Sequence, residues 1–109
     1  MDRKTNTITI LASGTYTAAT AYSSSFNVEA YIEGLIFIDV TAESGTSTLD
    51  IIIEISPDDS EWYTHTTISQ ISATGNTLQA ITNFGKYIRA KYTVGGTSFT
   101  FSIKGVFKN

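Results

Sequence analysis

The chain has 109 residues, no cysteine, and a formal net charge of -3 with a sequence pI of about 4.9. This length supports one domain and a core that needs no disulfides. The missing cysteines exclude thiolate metal sites and cysteine nucleophiles, and the acidic balance argues against nucleic acid as a partner, since phosphate binding needs clustered Lys and Arg.

Charged residues make up 16% of the chain, against a usual ~25%. Threonine and serine stand in their place, which suits exposed strand faces because β-branched Thr fits the pleat. No apolar run nears the ~18 residues of a membrane span, so no membrane partner is expected. Residues 1–6 carry charges with no apolar stretch behind them. That pattern predicts no signal peptide and synthesis in the cytoplasm.

Ile, Thr, Tyr and Phe recur without a 3.6-residue period, which predicts about eight strands. Residues 7–11 form a short first strand, and residues 15–22 a weak second one rich in Ala and Thr. Residues 25–31 alternate Phe26, Val28 and Ala30 against Ser25, Asn27 and Glu29. Residues 35–42 are apolar on both parities at first, which predicts a central strand covered on both faces. Residues 48–56 set Leu49, Ile51, Ile53 and Ile55 on one face, with Asp50, Ile52 and Glu54 opposite. Strands over 62–71 and 77–82 follow. Residues 87–94 put Ile88, Ala90, Tyr92 and Val94 on one face and Tyr87, Arg89 and Lys91 on the other. In residues 98–107, Phe99, Phe101, Ile103 and Phe107 share a face against Thr100, Ser102 and Lys104.

Turn signals separate these runs at Gly45, Gly75 and Gly95-Gly96. At Pro57-Asp58-Asp59-Ser60 the proline sets φ and the Asp side chains bond nearby amides. Turns about every ten residues predict an all-β, single-domain antiparallel β-sandwich of jelly-roll type. The sandwich is expected over residues 14–109, with residues 1–13 as an N-terminal segment able to act as an arm.

Charge is distributed by sign. Between Val28 and Glu61 it is all acidic: Glu29, Glu33, Asp39, Glu43, Asp50, Glu54, Asp58, Asp59 and Glu61. From Lys86 onward it is all basic: Lys86, Arg89, Lys91, Lys104 and Lys108. Acidic strands lying beside basic ones within one subunit account for this. So do complementary faces meeting between subunits. Arg89 in particular is placed to reach the strand of Asp50 and Glu54.

Reactive constellations are missing. His65 is the only histidine, with no Gly-x-Ser-x-Gly elbow and no second ligand for zinc. Asp58, Asp59 and Glu61 share a turn, but their spacing does not match an EF-hand loop, so they read as solvated turn residues. A glycosidase pair needs carboxyls about 5 to 9 Å apart across a cleft, and a sandwich this small has little room for one. Gly95-Gly96 has no helix behind it to form a phosphate loop. No enzyme activity, cofactor or metal is expected. The aromatic residues suit core packing, a sugar-stacking platform or an assembly interface. The candidate contact residues are Tyr16, Tyr22, Tyr31, Trp62, Tyr63, Tyr87 and Arg89.

Two stretches carry a family resemblance. One is Asp50-Ile51-Ile52-Ile53-Glu54-Ile55-Ser56-Pro57-Asp58-Asp59-Ser60-Glu61-Trp62-Tyr63. The other is Asn83-Phe84-Gly85-Lys86-Tyr87-Ile88-Arg89-Ala90-Lys91-Tyr92 followed by Gly95-Gly96-Thr97-Ser98-Phe99-Thr100-Phe101. Together they resemble small β-sandwich virion structural proteins of tailed bacteriophages and prophages, of the head-decoration type. Ser56, Asp58 and Trp62 with Tyr87, Ile88 and Arg89 are also similar to discoidin-like, galactose-binding jelly rolls, although Asp59 stands where that turn carries glycine.

The first resemblance implies a non-enzymatic virion protein, placed in the head or tail after synthesis in the host cytoplasm. It implies capsid decoration through homo-oligomeric contacts, for example as a trimer, with the major capsid protein as a further partner. A tail or adaptor component is an alternative within the same setting. The second resemblance implies carbohydrate as a ligand, in a module for host attachment.

Overall fold

A computed structural model describes residues 5–17 and 19–109. Among them the strands are β1 (Thr5–Tyr16), β2 (Ala21–Tyr22), β3 (Phe26–Asn27), β4 (Glu33–Ser44), β5 (Thr48–Ser56), β6 (Tyr63–Ile71), β7 (Gly75–Thr82), β8 (Tyr87–Gly95) and β9 (Ser98–Lys108). All pairs are antiparallel. One sheet has the order β1-β9-β4-β7, and the other β2-β8-β5-β6 with β3 also on β8. Most turns carry the chain from one sheet to the other, as in a sandwich.

Nine strands form against the expected count of about eight, one for each run named in the sequence, and their bounds differ most in the first third of the chain. The strands expected over 7–11 and 15–22 are divided differently. β1 runs to Tyr16 along β9, with register shifts between Thr9 and Leu11 and between Leu11 and Gly14. The pairing with β9 ends at Tyr16, and Ala21–Tyr22 pairs with β8 in the other sheet. Residues 25–31 pair only at Phe26 and Asn27. Beyond them the backbone bonds locally: the Glu29 amide donates to Asn27 Oδ1 at 3.0 Å, and the Tyr31 amide to the Val28 carbonyl at 3.0 Å. An Asn side chain offering that bond competes with the ladder. Residues 5–13 form most of β1, and residues 1–4 lie outside the described residues.

The core follows the alternation of the later strands. Leu49, Ile51 and Ile53 of β5, Ile88, Ala90, Tyr92 and Val94 of β8, and Phe99, Phe101, Ile103 and Phe107 of β9 are all buried. Each large side chain there contributes about 1.5–3 kcal/mol by leaving water. Phe107 lies against two glycines. A Cβ on Gly34 would meet its Cδ1 at 2.6 Å, and one on Gly105 would clash with its ring as well. Phe84 packs edge-on to the same ring, with centroids 5.7 Å apart. At the other end Tyr16, Tyr92 and Phe101 form a triangle of rings 5.0 to 5.8 Å apart.

β4 departs from its expectation. It is central in its sheet, between β9 and β7. Ile36, Ile38 and Val40 enter the core, but among the described residues no layer lies over its opposite face, and Phe37 is 41% exposed. The two-sided apolar pattern therefore marks one core face and one uncovered face.

Candidate functional site

Apart from Ile52 and Gly95, the outward positions of β8 and of β5 beside it carry polar or aromatic groups. Arg89 and Glu54 are direct partners in the β8–β5 ladder. Arg89 Nε donates to Glu54 Oε1 at 2.8 Å, the cross-strand pairing expected for Arg89. Its guanidinium lies over the Tyr22 ring, 4.1 Å from the centroid, and over the Trp62 ring at 4.3 Å. Cation–π contacts of this kind contribute about 0.5–1 kcal/mol each at partly exposed sites. One arginine thereby ties β2, β8 and the β5–β6 turn together.

The structure brings Tyr22, Trp62 and Arg89 into contact. Tyr87 stands two residues from Arg89 on the same face of β8, opposite Asn27 and Ser56. Tyr63 is exposed, and its hydroxyl donates to Glu61 Oε2 at 3.2 Å. The bond to that carboxylate, and its charge, raise the Tyr63 phenol above its ordinary pKa. Tyr16 and Tyr31 point the other way and pack on the core. The Tyr16 hydroxyl donates to the Ala12 carbonyl at 2.5 Å.

The polar groups weighed for chemistry hold turns and sheets together. Asp58 Oδ1 accepts from the Ser60 amide at 2.9 Å, the Glu61 amide at 3.0 Å and the Ser56 hydroxyl at 3.1 Å. The Glu61 amide first, then the Ser60 amide, hold its carboxyl below the usual aspartate value. This pattern lets Asp59 take φ = 62°. His65 sits at the register shift between Thr64 and Thr66, where β6 carries one extra residue against β5. Its Nε2 lies 2.6 Å from the Thr82 carbonyl and its Nδ1 2.6 Å from Thr66 Oγ1. A carbonyl only accepts, so Nε2 carries the proton. The ring thus bridges the edge strands of the two sheets, β6 and β7. Among the described residues, no three His, Asp or Glu side chains gather as a metal site would require.

The segregated charges meet partly within the subunit. Lys86 pairs with Glu29 at 3.7 Å and Lys108 with Glu33 at 3.6 Å, beside the Arg89–Glu54 pair. Among the described residues, Lys91, Lys104 and Asp39 have no ion-pair partner.

The outer face of the four-stranded sheet is different in kind. Register partners share a face, which gives rows across β7, β4 and β9. One row is Ala80, Leu35, Val106 and the next is Leu78, Phe37, Lys104. The row beyond is Asn76, Asp39, Ser102. Phe37 and Leu78 are direct partners, and Leu78 is 59% exposed. Phe37, Asp39, Asn76 and Leu78 border an open groove of about 290 Å³. None of these residues was among the candidate contacts. The signal for them was the pair Leu35 and Phe37 on the second parity of the β4 run.

The crystal structure of the PBSX exported protein XepA matches with a TM-score of 0.72 and 13% identity, over 94% of this chain and 36% of XepA. The SPBc2 prophage-derived protein YomS matches with a TM-score of 0.68 and 12% identity, over 100% of this chain and 96% of YomS. The VP2 subviral particle of infectious bursal disease virus matches with a TM-score of 0.62 and 14% identity, over 97% of this chain and 32% of VP2. The chain therefore spans about a third of XepA and of VP2 and nearly all of YomS. At these identities the likeness is one of fold. A search of the curated proteins returns no match. The family described as a domain of unknown function, DUF6385, matches residues 40–108, from within β4 to the end of β9, and the chain belongs to that family.

Proposed function

We propose that the chain is a non-enzymatic structural protein of a tailed-phage or prophage particle, decorating the head as a homo-oligomer in contact with the major capsid protein. The observation that carries this reading is the uncovered apolar face of Phe37, Leu78, Leu35, Ala80 and Val106. A sandwich that folds alone gains from an outward Phe and Leu at register positions only a cross-strand pair of about 0.2–1 kcal/mol. A subunit that meets another protein there buries them. The fold likeness to a prophage-derived protein and to the VP2 of a subviral particle supports the same setting. Tyr22 and Tyr63 are proposed as secondary contacts, and the N-terminal segment as a further one, its described residues 5–13 lying on the edge strand β1. The test is fractionation of purified particles into heads and tails, with mass spectrometry for this chain. Recovery with heads is expected. Recovery with tails moves the role to a tail or adaptor component, and absence from particles overturns the reading.

The outer face of the five-stranded sheet favours a second reading. Tyr22 and Trp62 beside Asn27 and Tyr87 form a partly exposed aromatic group of the kind that stacks on sugars. Sub-millimolar binding on a glycan array, lost in Tyr22→Ala, would support a carbohydrate-binding module.

A further inference from the structure

We infer that the outer face of the four-stranded sheet packs on the same face of a second copy about a two-fold axis, with the strands of the two copies crossing near a right angle. The inference rests on the assembly reading above and deepens it by naming the partner surface and its geometry.

The register supplies the argument. Around Phe37, Leu78 lies one strand away on the β7 side and Lys104 one strand away on the β9 side. Leu35 and Asp39 lie two residues away along β4, in opposite directions. A strand spacing of about 4.8 Å and a two-residue step of about 6.8 Å make these four the arms of a cross, and an arm of one kind laid on the other ends about 2 Å from it, within the reach of Lys and Leu side chains. Two arms are apolar, one is basic and one is acidic. Asp39 and Lys104 are also the charges of this face without an ion-pair partner among the described residues.

Two copies of one face, meeting about a two-fold axis in their common plane, lay each arm on its reflection across that axis. An axis along β4 lays Lys104 on Leu78. An axis across the strands lays Asp39 on Leu35. One diagonal lays Lys104 on Leu35 and Asp39 on Leu78. Each of these three buries a charge against an apolar side chain, which costs free energy with no compensating bond. The remaining diagonal lays Lys104 on the second copy's Asp39, Leu78 on its Leu35, and Phe37 on its Phe37 at the axis. Symmetry repeats the charge pair and the leucine pair. That axis runs about 45° from the strands, so the two sheets cross at about 90°, the orthogonal class of sheet packing.

The cross covers only the centre of one sheet, less than the ~800 Å² per partner of a standard stable interface. The pairing is therefore reversible, and it strengthens when many copies are held together on one particle.

Sedimentation equilibrium of the full chain over a concentration series tests the pairing. A monomer–dimer equilibrium is expected, and Phe37→Asp abolishes it without changing the far-ultraviolet circular dichroism. Asp39→Lys and Lys104→Asp each weaken association about tenfold, because each change strikes both symmetric pairs. The double variant Asp39→Lys/Lys104→Asp returns to within about threefold of the parent. A monomer up to roughly millimolar concentration overturns the inference. So does association that survives Phe37→Asp, or a charge swap that brings no rescue. Particle fractionation separates the two levels of argument. A monomeric chain found in particles overturns the pairing and leaves the structural role intact. A monomer whose Phe37→Asp variant drops out of particles gives the face to another coat protein and overturns the second copy.

Discussion

On the five-stranded sheet, the outward charge of Arg89 is bonded to Glu54 and lies over Tyr22 and Trp62. On the four-stranded sheet, Lys104 and Asp39 flank Phe37 and Leu78, which stay 41% and 59% exposed. The backbones are equivalent antiparallel ladders, so the contrast belongs to the side chains. A patch whose charges close within the subunit, as around Arg89, contributes to folding, although Lys91 farther along the same face has no ion-pair partner among the described residues. A face that combines open charges with outward apolar residues contributes to a contact the subunit cannot make alone. The acidic middle and basic end of the chain serve both uses: three pairs close internally, and Asp39 with Lys104 is the pair proposed to close between copies.

Stability measurements can break this comparison. The inner side is common to both faces and should show the largest effect: Phe107→Ala is expected to cost about 3–5 kcal/mol in urea unfolding, since it empties the seat over Gly34 and Gly105. Arg89→Ala should cost about 2–3 kcal/mol, as it removes a charge-assisted bond and two ring contacts and strands the largely buried Glu54. Arg89→Lys keeps the charge but loses the planar stack, and should cost about 1 kcal/mol. On the other sheet, Phe37→Ser should cost the monomer only about 1 kcal/mol, from its partial burial and its pair with Leu78, while removing self-association. If Phe37→Ser unfolds the monomer as severely as Arg89→Ala does, the two faces do not differ as described.

Much of this was legible where alternation is strict. The core faces of β5, β8 and β9 follow from Leu49 to Ile53, Ile88 to Val94 and Phe99 to Phe107, because a period of two assigns each residue to a side. The Arg89–Glu54 pair was legible as opposed charges on neighbouring strands. Its aromatic cover was not, since Tyr22 and Trp62 arrive from β2 and from a turn whose positions depend on tertiary structure. Residues 15–22 misled because Ala and Thr give no alternation, and the chain changes sheets there. Residues 35–42 misled in a more useful way. Leu35 and Phe37 show that a second face is apolar, but a pattern along one strand cannot say whether a layer covers it. Placing Lys104 beside Phe37 requires knowing that β9 lies next to β4, and strand order is set by long-range packing.

The smallest effect concerns acid stability at the turn leading into Trp62. The amides of Glu61 and then Ser60 hold the Asp58 carboxyl below the ordinary value of 3.8. A carboxyl whose folded pKa is depressed adds stability that is fully present above the unfolded value. That stability is lost as pH falls through the folded one. Asp58→Asn keeps an oxygen to accept the two amides but cannot titrate. Thermal melting from pH 7 down to pH 2 should therefore show the parent's Tm falling more steeply below about pH 4 than that of Asp58→Asn. The gap should narrow in high salt, because the turn is exposed and the charge is screened. Parallel curves would mean that the carboxylate's charge adds nothing to the turn. Its hydrogen-bond geometry alone would then position Trp62 over Arg89, and the closed face would depend on shape rather than on the turn's charge.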